Sequence, residues 1–131
     1  MIEGIGTDLV DVERIRKSLE RFGDRFTGRV FTAYECGYCG KKAFPAIHYA
    51  ARFAAKESFL KALGIGLGMG VNLADIEVRN NAEGRPGLTI YGRGREMLAE
   101  RGVTAVHLTL THTRSQAAAT VVLEKDASAG V

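Results

Sequence analysis

Two carboxylates stand where carboxylates are out of place. Asp8 lies inside "MIEGIGTDLV", whose Ile2, Ile5, Leu9 and Val10 among small residues predict a short N-terminal strand close to a core. Asp is depleted from strands, because its short carboxylate competes with the ladder for hydrogen bonds and is costly to desolvate. Glu57 lies four residues after Phe53 and three before Leu60, so its neighbours on one helix face are apolar. A carboxylate in such a place is paired or holds a metal. The simple partner is Lys61, an i, i+4 pair in the favourable order and worth a few tenths of a kcal/mol. The alternative is a hard cation: two carboxylates at element ends suit Mg²⁺, which keeps waters and takes phosphate oxygens. His112 is the third chemical residue. It shares strand parity with Val106, Leu108 and Leu110, and Thr111 and Thr113 flank it with hydroxyls that could meet an anion.

The elements that must position these residues are legible as pattern. "DVERIRKSLERFG" reads as a helix capped by Asp11 and ended by Gly23, with Val12, Ile15, Leu19 and Phe22 as its apolar stripe. Arg14, Lys17 and Arg21 fall on the opposite side. Such a basic stripe is either a solvated face or a landing strip for an acidic partner. Pro45 opens a longer helix that Gly64 closes and that carries Glu57 and Lys61. A glycine-rich loop follows, then strands in "ADIEVRN" and "LTIYG" around the turn "NAEGRPG". "REMLAERG" is a short helix, and "TAVHLTLT" with "AAATVVLE" a final hairpin. Helices and strands mix without a βαβ rhythm. The fold class is therefore α+β, with an antiparallel sheet packed against the long helix.

Composition bounds the rest. At 131 residues, 46% hydrophobic and 25% charged, the chain reads as one soluble domain over residues 1–124 with a polar tail over 125–131. No basic start precedes an apolar run, and no stretch reaches the roughly 20 apolar residues of a membrane helix. The expected address is the cytoplasm. "GIGLGMG" is neither G-x-G-x-x-G nor a P-loop. Cys36 and Cys39 form a single C-x-x-C without the strand context of a redox site or the further ligands of a zinc site, so they read as reduced structural thiols. A nucleic-acid-binding module fares poorly, since the net charge is only +3 and no stacking motif accompanies the arginines.

Taken together, "GIGTDLVDVERI" and "RFAAKESFLKALG" resemble the two signature stretches of the holo-[acyl-carrier-protein] synthases, a family of phosphopantetheinyl transferases. The likeness runs on through "FGDRFTGRVFTAYE", "EGRPGL" and "VHLTLTHTRSQAAATVVLE", so it covers nearly the whole chain in order. Enzymes of this family move the phosphopantetheine arm of coenzyme A onto a serine of apo-acyl carrier protein and release adenosine 3',5'-bisphosphate. The resemblance implies a 4'-phosphopantetheinyl transferase-like fold, Mg²⁺ on Asp8 and Glu57, and Lys61 against the phosphates. It implies Gly84, Arg85 and Pro86 near the adenosine end, and Thr111, His112 and Thr113 near the 3'-phosphate. Arg52 also falls inside the signature. It implies docking of acidic acyl carrier protein on Arg14, Lys17 and Arg21, with Arg25 beside them, and a homotrimer with sites between subunits. The implied role is in fatty acid biosynthesis; a carrier domain from polyketide or peptide synthesis is the alternative partner. The base that takes the serine proton stays open between Glu57, through a metal-bound water, and Glu35.

Overall fold

The computed structural model describes residues 1–127. Its elements are β1 (Ile2–Asp11), α1 (Val12–Phe22), α2 (Asp24–Val30), α3 (Ala33–Gly40), α4 (Pro45–Leu63), β2 (Ile76–Asn80), β3 (Pro86–Ile90), α5 (Gly92–Glu100), β4 (Val103–His112) and β5 (Gln116–Lys125). The fold is α+β, as its sequence pattern predicts: an antiparallel sheet in the order β1-β5-β4 and a β2-β3 hairpin. β5 runs one residue past the expected boundary at 124, and residues 128–131 of the expected tail lie outside the described residues. None of the described helices is long and apolar enough to cross a membrane.

α4 is the axis of the molecule. Pro45 supplies its first turn, and Gly64 closes it in the left-handed region (φ 76°), its N–H bonding to the Leu60 and Lys61 carbonyl oxygens. The helix is buried nearly throughout, as its alanines on every face allow. β1 lies directly across it because Gly4 and Gly6 carry no side chains. A Cβ on either would stand 2.0 Å from a backbone oxygen of α4, Ala62 O for Gly4 and Ser58 O for Gly6. Ser58 Oγ in turn donates to Ala119 O of the central strand at 3.0 Å, tying helix to sheet.

This contact settles which way β1 faces. Gly6 and Val10 point inward, and Val10 is 2% exposed. The strand lies close to the core, as expected, but through its glycines and Val10: Ile5 and Leu9 point outward, 63% and 62% exposed, and Ile2 is equally open. From Gly4 on the period-two alternation holds: Gly4, Gly6 and Val10 take the inner face and Ile5 and Leu9 the outer one.

α1 follows at once. Asp11 occupies the cap position but makes no capping bond; its Oδ1 accepts from Gln116 Nε2 at 3.4 Å, and the Val12 N–H donates to Ser115 O at 2.9 Å. Val12 and Ile15 are buried, while Phe22 leaves the expected stripe and stands exposed between the Arg21 and Arg25 guanidiniums. α3 starts with a capping box in which Thr32 and Glu35 bond each other's backbone N–H. Glu35 does more: its Oε2 accepts from Val78 N at 2.8 Å and its Oε1 from Lys56 Nζ at 2.8 Å, in a fully buried ion pair. Lys56 completes its donors on the Leu73 and Ile76 carbonyl oxygens, so one pair clamps α3, α4 and β2. Burial still pulls the Lys56 pKa down, with the Glu35 carboxylate opposing.

Candidate active site

The structure brings Asp8, Glu57 and Lys61 together where β1 crosses α4. Lys61 Nζ donates to Asp8 Oδ1 at 3.0 Å and to the Thr7 carbonyl oxygen at 3.0 Å. Its partner is thus Asp8 and not Glu57, which corrects the expected i, i+4 pair: β1 offers a carboxylate and a carbonyl at once. Glu57 is left half-buried beside Asp8. Desolvation and then the Asp8 charge raise its pKa, against the weaker pull of Lys61 and Arg14. A half-buried carboxylate with a second carboxylate beside it is a place a cation would settle. No group of three or more His, Cys, Asp and Glu converges among the described residues. The two carboxylates are donors of the kind a hard ion takes, its other ligands then coming from water and phosphate.

Arg14 borders this site. Its guanidinium lies 5.7 Å from the Phe53 ring centroid, and with Lys17, Arg21 and Arg114 it lines a groove of about 740 Å³ along α1. Arg16, on the same helix, is held by Glu13 (2.6 Å) and Glu20 (2.7 Å). Arg14, Lys17 and Arg21 have no carboxylate within ion-pair distance among the described residues. α1 thus neutralises the arginine outside the groove, while Arg14, Lys17, Arg21 and Arg114 outnumber Asp11 and Glu13 along it.

The remaining candidates lie elsewhere. Gly84 takes φ 84° at the tip of the β2–β3 turn, where the Asn81 side chain accepts from the Glu83 and Arg85 N–H groups. Arg85 and Pro86 line a cleft of about 390 Å³ between this hairpin and β4. No hydrogen bond or ion pair among the described residues joins that turn to Asp8 or Lys61. His112, at the end of β4, meets α4 instead: its ring is 5.9 Å from the His48 ring. Thr111 takes the opposite face of the sheet, and the Thr113 hydroxyl is engaged in the turn, accepting from Ser115 N and Gln116 N. The expected hydroxyl pair around His112 is therefore split.

Behind His112 lies a cluster that the sequence reading reached only at Arg52. Arg52 is 3% exposed and stacks 4.2 Å from the Tyr38 ring centroid; Lys42 stands 4.5 Å from that centroid, and His48 packs edge-on at 6.2 Å. Desolvation opposes it, but the Asn80 hydrogen bond and the Arg52 and Lys42 charges bring the Tyr38 phenol below its usual pKa. The available signal was a His and an Arg four apart on an apolar helix with no acid at either spacing to answer them. His48 and Glu57 are nine residues apart, about 180° around the helix. The basic cluster and the acidic site therefore occupy opposite faces of α4.

Both cysteines of the C-x-x-C motif are free, and burial, with Arg52 opposing, pushes the Cys39 thiol up to about 12.

Residues 4–122 match the family model of the 4'-phosphopantetheinyl transferase superfamily. The chain belongs to this superfamily. It is 58% identical over 124 residues to a holo-[acyl-carrier-protein] synthase of Syntrophus aciditrophicus, covering 95% of this chain and 97% of that one. Among solved structures it resembles the holo-[acyl-carrier-protein] synthase of Neisseria meningitidis, with a TM-score of 0.85, 37% identity and coverage of 95% and 100% of the two chains. The enzyme of Bacillus anthracis, solved in complex with CoA (3',5'-ADP), is 38% identical with a TM-score of 0.78, covering 96% of this chain and 99% of that one. The matched span of the superfamily model contains every candidate residue above.

Proposed function

We propose that this chain transfers the 4'-phosphopantetheine arm of coenzyme A to a serine of apo-acyl carrier protein, and so supports fatty acid biosynthesis in the cytoplasm. The observation that carries the reading is the meeting of Asp8, Glu57 and Lys61 at the β1–α4 crossing, in a chain whose relatives are holo-[acyl-carrier-protein] synthases. In the reaction the serine hydroxyl gives up its proton, with Glu57 the remaining candidate to receive it, its oxygen bonds to the β-phosphorus, the pyrophosphate bridge breaks, and adenosine 3',5'-bisphosphate leaves. Such a transfer asks mainly for positioning and charge stabilisation.

Asp8 and Glu57 would hold Mg²⁺, which supplies Lewis-acid neutralisation of the phosphates when bound. Lys61 adds a point charge there, exchanging its Asp8 contact for phosphate oxygen. Glu35 is not the base: it is fully buried, with both oxygens engaged by Lys56 and backbone N–H groups. Gly84, Arg85 and Pro86 take the adenosine end. His112 takes the 3'-phosphate with Arg52, and Thr111 and Thr113 border it.

Because the acidic and basic faces of α4 point apart, one coenzyme A is bound by the acidic face of one copy and the basic face of its neighbour. The outward apolar face of β1, with Ile5 and Leu9, then packs between copies of a homotrimer. The groove of Arg14, Lys17 and Arg21 receives the acidic carrier protein, and its meeting with Glu57 at Arg14 brings the carrier serine to the phosphates.

The test is the intact mass of apo-acyl carrier protein after incubation with the chain, coenzyme A and Mg²⁺. A gain of one phosphopantetheine arm, abolished by EDTA and by Asp8→Ala or Glu57→Ala, is expected. No gain from folded protein with fatty-acid carrier, but a gain with a polyketide or peptide carrier domain, would move the partner and keep the chemistry. No gain with any carrier would sink the reading.

A further inference from the structure

The cluster at the start of α4 lacks negative charge. Arg52 Nε is buried without a hydrogen-bond partner among the described residues, and the side chain's one bond is a long one, 3.3 Å, to the His48 carbonyl oxygen. A buried guanidinium with no carboxylate beside it is costly unless an anion answers it. The groups around it are neutral or cationic: Tyr38 from α3, Lys42 from the segment joining α3 to α4, His48 one helical turn before it, and His112 from β4.

His48 is the member without a role so far. It is half-buried, i, i+4 to Arg52 on one face of α4, with its ring between those of Tyr38 and His112. Resting on the reading of this cluster as the seat of the 3'-phosphate, we propose that His48 contacts that phosphate in its protonated form, so that loading the site takes up a proton.

The electrostatics run the same way. Burial first and then the charges of Arg52, Lys42 and His112 lower the His48 pKa from its ordinary value. A phosphate dianion among the same cations cancels their repulsion and accepts the imidazolium N–H, so the ligand raises that pKa. By linkage, a group whose pKa the ligand raises strengthens binding below the liganded pKa, and the gain is lost as pH rises through it. The groups facing His48 from α3, the joining segment, α4 and β4 are Tyr38, Lys42, Arg52 and His112, and none is a carboxylate that could raise it in the ligand's place. The consequence is a pH-dependent choice between coenzyme A and its 3'-dephospho form, strict near neutrality and relaxed in base.

The experiment is calorimetric titration of the assembled protein, with Mg²⁺ present, at pH 7 in buffers of different ionisation enthalpy. Adenosine 3',5'-bisphosphate and 5'-AMP are the two probes; wild type, His48→Gln and His112→Gln are the three proteins. Protonation of the phosphate itself is common to all three and cancels between them. Wild type is expected to take up more protons with the bisphosphate than His48→Gln does, while 5'-AMP shows no such difference. The His48 imidazole resonance of wild type, which needs no variant, is expected to titrate at higher pH once the bisphosphate is bound. Each unit of that rise corresponds to about tenfold in affinity across the window. Equal uptake in wild type and His48→Gln, uptake abolished by His112→Gln alone, or a His48 titration that the ligand does not move would overturn the proposal and leave the phosphate seat standing. A bisphosphate that binds no tighter than 5'-AMP would remove the seat, and the proposal with it.

Discussion

The Lys61 ammonium lies 3.0 Å from an Asp8 oxygen, half of its own side chain exposed. An ion pair that open contributes about 1 kcal/mol at most. The same ammonium against a transferring phosphate, in a site closed by two substrates, is worth far more, because charge develops there with little water to share it. Stability and activity should therefore separate on one substitution. Lys61→Met is expected to leave the melting temperature within a few degrees of wild type and to lower kcat/KM by about 100-fold or more. Thermal scans and carrier-modification rates on one preparation check this; equal losses in both would return Lys61 to a structural role.

The crossing of β1 over α4 depends on two missing side chains. A Cβ on Gly6 would meet Ser58 O at 2.0 Å and the Ala62 backbone nitrogen at 2.7 Å. Neither can swing aside as a side-chain tip could. Gly6→Ala is expected to destabilise the chain by about 3 kcal/mol or more and, in whatever folds, to shift Asp8 from Glu57 and raise the Mg²⁺ concentration needed for half-maximal rate. Denaturant melts and Mg²⁺ titrations read the two effects, and a neutral Gly6→Ala would mean the strand is not seated as described. Much at this scale was legible in the sequence. Pro45 and Gly64 bracket α4, the final hairpin announces itself by alternation, and the stripe of Arg14, Lys17 and Arg21 follows from helical period. Other parts were hidden. α2 and α3 carry Gly28, Gly37 and Gly40, which blur any period, although Thr32 and Glu35 hold capping-box spacing. Pattern sets β1 close to a core without saying which of its faces is buried, so the exposure of Ile5 and Leu9 was not legible. Lys61 sits at salt-bridge spacing from Glu57, and only the third dimension shows a strand supplying the nearer acid. Arg52 and His48 belong to a cluster assembled from three elements, which no local spacing displays.

At the scale of the whole molecule, Arg16 is neutralised within α1, whereas Arg14, Lys17 and Arg21 line a groove without a carboxylate in ion-pair distance among the described residues and are the proposed contacts for an acidic carrier. Exposed pairs of this kind mainly speed encounter and fix register. Reversing Arg14 and Arg21 to Glu is expected to raise the apparent KM for carrier protein roughly tenfold or more at low salt, with the effect shrinking as salt rises. The KM for coenzyme A should change far less, since the basic cluster lies on α4 and the groove along α1; an unchanged carrier KM would remove the docking assignment. The two faces of α4 also have a genetic consequence. If each site takes its acid from one copy and its phosphate seat from the next, a lesion in Asp8 and a lesion in Arg52 damage different halves of a shared object. Two inactive proteins, Asp8→Ala and Arg52→Ala, unfolded together and allowed to reassemble, would then complement one another. With random mixing, about a quarter of the sites would join two intact halves, and activity would return from a pair of alleles neither of which has any alone.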